Sequence, residues 1–319
     1  MARTFIKNLN EISMKDFDAV GGKNSSLGEM MSNLTELGIN VPGGFAITSS
    51  AFDEFLSSSK IDKIISKELA NLNVENLSDL RRTGKKLRGL ILKTPLPQNL
   101  ILEIEQAWLG VSKSGKSFAV RSSATAEDLP DASFAGQQET FLNIDGFDNL
   151  IDAVRKVYAS LFTDRAISYR RLRNFKGSLS ISVGVQEMVR SDMGSSGVAF
   201  TLDTESGYKG SIFITSSYGL GEGIVQGTVN PDEFYVFKRA LEKNDFPIIK
   251  KNMGEKAKKM IFADNNLPGK SVKYVKVPKK EANEFSLTNN EIIELAKYAK
   301  TIEDHYEVPM DIELSLIHI

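Results

Sequence analysis

The feature that most limits what this chain can fold into is a change of period near residue 115. Before it, apolar residues recur at helical spacing; after it, they gather into strand-length runs bounded by Gly, Ser and Pro. Asn24 to Leu37 puts Leu27, Met30, Met31, Leu34 and Leu37 on one helical face, with Gly38 where a left-handed cap belongs. Val41-Pro-Gly-Gly-Phe-Ala-Ile-Thr48 bends and then reads as a short buried strand. Ala51 to about Trp108 is mostly amphipathic helix, interrupted at Thr94-Pro-Leu-Pro97. Beyond residue 115, Phe118–Val120, Ile181–Val185, Gly197–Phe200, Ser211–Thr215 and Glu233–Phe237 predict strands, with a helix over about Leu150 to Arg173 among them. Thr288 and Glu291 form a capping box before a last helix. The expectation is a mixed α/β (α+β) fold with antiparallel strands. A length of 319 residues allows two or three compact units, with changes of character near 110–120 and 240–285.

Charge and cysteine content narrow the function classes. Forty Lys and Arg against forty-one Asp and Glu leave a net charge of −1, so no global field favours nucleic acid or anionic lipid. Any polyanion site must be local. The absence of cysteine excludes disulfides, thiolate zinc sites and a cysteine nucleophile. The first ten residues lack the apolar core of a signal peptide, so the expected compartment is the cytoplasm and no membrane partner is expected.

Several motifs could bind phosphate. Gly110 to Ser117 has P-loop spacing, with Lys116 as its lysine, but a P-loop follows a strand and opens a helix, whereas here a helix precedes and a strand follows. Gly21-Gly22-Lys23 stands before a helix whose first amides are open, a combination suited to an anion. Arg121 leads from a strand into a long loop of small and hydroxyl residues that runs to Glu139; its planar fork suits bidentate phosphate binding. Gly219-Leu-Gly-Glu-Gly223 reads as a tight turn rather than a dinucleotide fingerprint. Asp311 and Glu313 alternate so that both carboxylates share one strand face, as a magnesium ion on nucleotide phosphates requires. Ten lysines between Lys250 and Lys280 read as a solvated ribbon. His305 falls at a helix end, where a structural role is expected.

Taken together, these motifs resemble a known family, the N-terminal ATP-binding domain of phosphoenolpyruvate synthase and pyruvate phosphate dikinase. The resemblance runs through Gly21-Gly-Lys-Asn-Ser-Ser-Leu-Gly-Glu-Met30, Val41–Phe45, Val120-Arg-Ser-Ser-Ala-Thr-Ala-Glu-Asp-Leu-Pro130, Ser133–Phe141, Ser160–Tyr169, Val185–Val189, Phe200–Thr204, Tyr218–Glu222, Asn230–Val236 and Pro309–Glu313, which is nearly the whole chain. It implies an ATP-grasp-type fold with nucleotide between two α/β lobes. Lys23 and Arg121 would be the phosphate-binding, catalytic cations. Gln186, Glu187, Met188 and Val189 would line the adenine, backbone amides reading its edge. Asp311 and Glu313 would hold Mg2+ against the phosphates of ATP, with Gln137 and Thr140 in or beside the phosphate loop.

The family reaction converts ATP, pyruvate and water to phosphoenolpyruvate, AMP and phosphate through a phosphohistidine. That histidine and the pyruvate barrel belong to other domains, so this chain is expected to serve phosphoryl donation alone and not to complete turnover. The resemblance leaves room for a homodimer of the full-length protein. An antibiotic phosphotransferase of the rifampin type, or a non-catalytic nucleotide-binding module, would share these motifs. After Glu313 the family pattern is replaced by Leu314-Ser-Leu-Ile-His-Ile319, which matches one reading frame of a common sequencing adaptor. The expectation is a domain spanning 1–313, its last lobe incomplete, followed by a non-native tail at 314–319 that includes His318.

Overall fold

Helices with one apolar stripe need a surface to cover, and the later strands supply it. A computed structural model describes residues 4–113, 115–123, 128–129, 132–133, 139–172, 180–243 and 245–316. The chain separates into two units. The first comprises Met1–Thr35, Asn40–Met188 and Asn266–Gly269; the second comprises Glu36–Ile39, Val189–Asn265 and Lys270–Ile319.

The first unit runs through β1 (Ile6–Asn8), α1 (Phe17–Leu34), β2 (Gly44–Ile47), α2 (Ser49–Ser58), α3 (Asp62–Ala70), α4 (Leu77–Lys93) and α5 (Gln98–Val111). It continues with β3 (Phe118–Ser123), β4 (Asp128–Leu129), β5 (Ala132–Ser133), β6 (Thr140–Ile144), α6 (Phe147–Ser160), α7 (Asp164–Leu172) and β7 (Ser182–Glu187). Five strands form an antiparallel sheet in the order β1-β2-β7-β3-β6, and β4 pairs with β5. Because side chains alternate along a strand, the sheet has two characters. Phe45, Ile47, Phe118, Val120, Val183 and Val185 face a core shared with Phe52, Phe55, Leu87, Trp108 and Tyr158. The opposite face carries Gly44, Ala46, Ala119, Arg121, Ser123, Ser182, Gly184 and Gln186, and α1 packs on it through a small cluster of Val20, Ala46, Leu9 and Ile12. The shift from helix to strand near 110–120 lies inside this unit.

The helix expected over Leu150 to Arg173 is two helices, α6 and α7. Thr163 explains the break: its Oγ1 accepts from the Ala166 amide at 3.2 Å, and the preceding Phe162 is fully buried. A capping hydroxyl and an anchored aromatic end one helix and start the next.

The second unit runs through β8 (Ser195–Phe200), β9 (Ser211–Tyr218), α8 (Glu222–Val225), β10 (Asp232–Phe237), α9 (Lys238–Lys243) and β11 (Ile248–Asn252). It then adds β12 (Lys258–Phe262), β13 (Val272–Lys276), α10 (Lys279–Ala282), α11 (Asn289–Tyr306) and β14 (Asp311–Leu316). An antiparallel sheet in the order β11-β10-β9-β8-β14 buries Ala199, Ile212, Ile214, Phe234 and Val236 against Ile292, Leu295, Ala296 and Ala299 of α11. The capping box opens α11, with the Glu291 amide donating to Thr288 Oγ1 at 3.3 Å and the Thr288 amide to Glu291 Oε2 at 2.7 Å. The lysine-rich stretch runs through β11, β12, β13 and the start of α10, and several of its ammonium groups lie over rings, Lys251 on Phe285 at 4.5 Å and Lys258 on Tyr274 at 4.6 Å. Lys256 departs from the ribbon pattern: it is fully buried and paired with the equally buried Asp232. His305 sits in the last turn of α11, edge-on to Tyr306. Among the described residues, no helix is long and apolar enough to cross a membrane.

Candidate functional site

In the first unit, the turn carrying the candidate phosphate cation Lys23 packs against the strand carrying the other candidate, Arg121. Gly21 interrupts α1 with φ +75° and ψ 167°. A Cβ there would lie 2.3 Å from the Ser123 carbonyl oxygen, so the position demands glycine twice over, by conformation and by space. The helix resumes at once, which places Lys23 in its restarted first turn. Asn24 follows, fully buried, and its backbone amide donates to Ser123 Oγ at 3.2 Å. The turn bearing Lys23 is thereby fastened to the end of the strand that carries Arg121.

Arg121 stands opposite Thr140 of β6 and Gly184 of β7. It is half-buried, and Thr140 is exposed. Gln137 and His318 lie outside the described residues. Gln186 shares the face of Arg121, and its Nε2 donates to the Pro42 carbonyl at 3.1 Å. The following stretch is tied down on both sides. The Glu187 amide donates to the Gly43 carbonyl at 2.8 Å and the Met188 amide to the Ser117 carbonyl at 2.9 Å. Met188 Sδ accepts from the Asn143 amide, a residue in the left-handed region at φ 53°.

The P-loop spacing resolves differently. Helix α5 precedes it and strand β3 follows, as the sequence implied, and Lys116 Nζ lies 2.5 Å from Glu187 Oε2. Lys116 thus braces the segment that leads out of β7. The sequence carried no signal for this pair, because the two residues are 71 positions apart.

In the second unit, the alternation expected of Asp311 and Glu313 is realised on β14. Ile312, Leu314 and Leu316 pack against the α11 core, while Asp311 and Glu313 are exposed on the other face. Register sets Asp311 opposite Phe200 and Glu313 opposite Val198. Two carboxylates separated by one residue stand roughly 6.5 to 7 Å apart along a strand, within reach of one cation that also takes phosphate oxygens. Glu222, at the start of α8, is an acid that the sequence presents only as part of a turn. Burial raises its carboxyl pKa, a hydrogen bond from Gln226 lowers it, and the Glu313 charge raises it further. Among the described residues no group of three or more acidic or histidine side chains is placed to hold a metal by itself. The donor set therefore fits Mg2+ only as a pair completed by phosphate and water, a mode in which magnesium commonly binds.

Fold and site together describe a mixed α/β nucleotide-binding protein: one unit presents cations beside a braced segment, and the other presents a pair of carboxylates. The chain belongs to the family of the pyruvate phosphate dikinase AMP/ATP-binding domain, whose model matches residues 17–317. It is 57% identical over 318 residues to the phosphoenolpyruvate synthase of Neisseria meningitidis, covering 98% of this chain and 40% of that protein. The phosphoenolpyruvate synthases of Escherichia coli and Aquifex aeolicus are 51% and 47% identical, with 95% and 96% of this chain covered. This chain spans about two fifths of the length of these curated relatives, the matched share being 39% and 37% in the last two.

Proposed function

We propose that this chain is the ATP-binding, phosphoryl-donating part of a phosphoenolpyruvate synthase, folded in the ATP-grasp manner. The observation that carries the reading is the docking of the Lys23 turn onto β3, two residues from Arg121. The anchor is the Ser123 hydroxyl, which accepts from Asn24. This ties the turn bearing Lys23 to the strand bearing Arg121, and on this reading each cation forms charge-assisted bonds to phosphate oxygens. Gln186, Glu187, Met188 and Val189 line the purine. With the Glu187 and Met188 amides engaged inside the chain, the Val189 amide is the segment's donor to the purine edge. Thr140 and Gln137 flank the phosphates. Asp311 and Glu313 hold Mg2+, which neutralises phosphate charge. Catalysis of phosphoryl transfer by such residues is positioning plus electrostatic stabilisation.

On this reading, pyruvate and the phosphorylated histidine are handled by the remaining three fifths of a protein of the relatives' length. The assembly works in the cytoplasm, with a homodimer as its full-length form and the stretch 314–319 as a foreign tail. The relatives' names support a synthase over an antibiotic phosphotransferase.

The test is calorimetric titration with ATP. Lys23→Met and Arg121→Ala should each weaken binding by about tenfold to a hundredfold, the value of one charge-assisted bond. Lys116→Met should change it by less than about threefold, since on this reading that lysine braces the segment rather than touching phosphate. The reverse ranking would restore the P-loop and end this proposal. Asp311→Asn with Glu313→Gln should abolish the enhancement of ATP binding by Mg2+ while leaving the metal-free affinity within about twofold.

A further inference from the structure

We infer that Asn24 is a positioning residue that sets the placement of Lys23 relative to Arg121. The inference rests on the nucleotide reading above and extends it to a residue that touches no phosphate. Asn24 is fully buried between α1 and the sheet. Its Nδ2 donates to the Val20 carbonyl at 3.0 Å, across the Gly21 break, and to Ser182 Oγ at 3.2 Å. Its backbone amide donates to Ser123 Oγ. One residue thus joins the two halves of the broken helix, the end of the strand bearing Arg121 and the start of the strand beside it.

The remaining atom of the side chain carries the argument further. Asn24 Oδ1 is buried and accepts no hydrogen bond from any described residue. It is aimed at Gly184, where a Cβ would lie only 2.4 Å away, and Gly184 is the residue opposite Arg121 in the β3–β7 pairing. A buried amide with an idle acceptor is a poor choice for filling space, because an apolar residue would fill it without that penalty. The geometry instead uses the amide as a strut. Its donors fix the turn, and its length, matched to the bare Gly184 backbone, sets how closely α1 approaches the strand next to Arg121.

The experiment compares ATP with adenosine, which lacks the phosphates, by titration calorimetry on the 319-residue chain at fixed Mg2+. Asn24→Ala should weaken ATP binding about tenfold or more and adenosine binding less than about twofold, because only the phosphate contacts depend on the position of Lys23. Ser182→Ala, which removes a single tie, should show the same bias at about threefold. Equal loss for both ligands in the two variants would mean a merely structural role and overturn the inference, as would unchanged ATP binding. If Asn24→Ala fails to fold, Ser182→Ala and Ser123→Ala carry the same comparison. Wild-type chain that binds adenosine but not ATP, or neither, would sink the nucleotide reading itself, and this inference with it.

Discussion

At the scale of single residues, the buried pair Lys256 and Asp232 is an exacting arrangement. Both side chains are fully buried. Asp232 Oδ2 accepts from the Ser286 amide at 2.7 Å and from its hydroxyl at 2.8 Å, and Oδ1 accepts from the Gly254 amide at 2.9 Å as well as from Lys256. Every lone pair of the carboxylate that geometry allows is engaged, which is the condition under which a buried charge is tolerated. Lys256→Met leaves that charge uncompensated and should cost about 3–5 kcal/mol in urea-induced unfolding. A milder pair ties Lys7 to Asp16, where the Lys7 hydrogen bond leads the causes that lower the Asp16 pKa, with the Ser13 amide and hydroxyl also lowering it. A depressed carboxylate stabilises the fold above its unfolded pKa of about 3.9, and the contribution disappears as pH falls through the folded value. Asp16→Asn should therefore flatten the stability profile below about pH 4 and cost under about 1 kcal/mol at neutral pH, read from melts across pH. None of these partnerships was legible in the sequence, since Lys256 looked like one more member of a lysine ribbon.

At the scale of elements, the caps and breaks were more legible than the contacts. Thr288 and Glu291 announced the start of α11 because a capping box is a local code, and Thr288→Ala should lower the unfolding free energy by about 0.5–2 kcal/mol. Strands β7 to β10 were legible as apolar runs, although β7 and β9 run two and three residues past their expected ends, and β8 and β10 begin two residues and one residue before their expected starts, where pairing continues beyond the apolar stretch. The division of the Leu150 to Arg173 helix was missed because Thr163 marks a start only once Phe162 has somewhere to be buried. The alternation of Asp311 and Glu313 was legible outright, because the period of a strand is local. Leu314 and Leu316 extend that strand and pack half-buried on the α11 core. The break at Gly21 was read only as a glycine turn, and its reason lies in Ser123. Gly21→Ala meets both a left-handed backbone and the Ser123 carbonyl, and should destabilise by more than about 1 kcal/mol while weakening ATP binding.

For the molecule as a whole, each unit has its own apolar core, one around Leu87 and Tyr158, the other around Ile292 and Phe234. Leu87→Ala and Ile292→Ala should each cost about 2–5 kcal/mol, and hydrogen exchange should report the loss of protection chiefly in the unit that carries the substitution. The composition bounded this plan and the period change located its helical and strand-rich parts, but which strands pair is a long-range property that no window of sequence contains. The fastening of the Lys23 turn has a consequence for how the protein comes into being. Its partners Ser123 and Ser182 lie 99 and 158 residues downstream of Asn24. During synthesis, the turn leaves the ribosome long before either anchor exists, and contacts of such wide separation form late. The turn therefore cannot be fastened in an early N-terminal fragment; its anchors are complete only when the chain has emerged through Ser182, so a nascent chain stalled before that residue holds the lysine motif intact yet has no fastened turn.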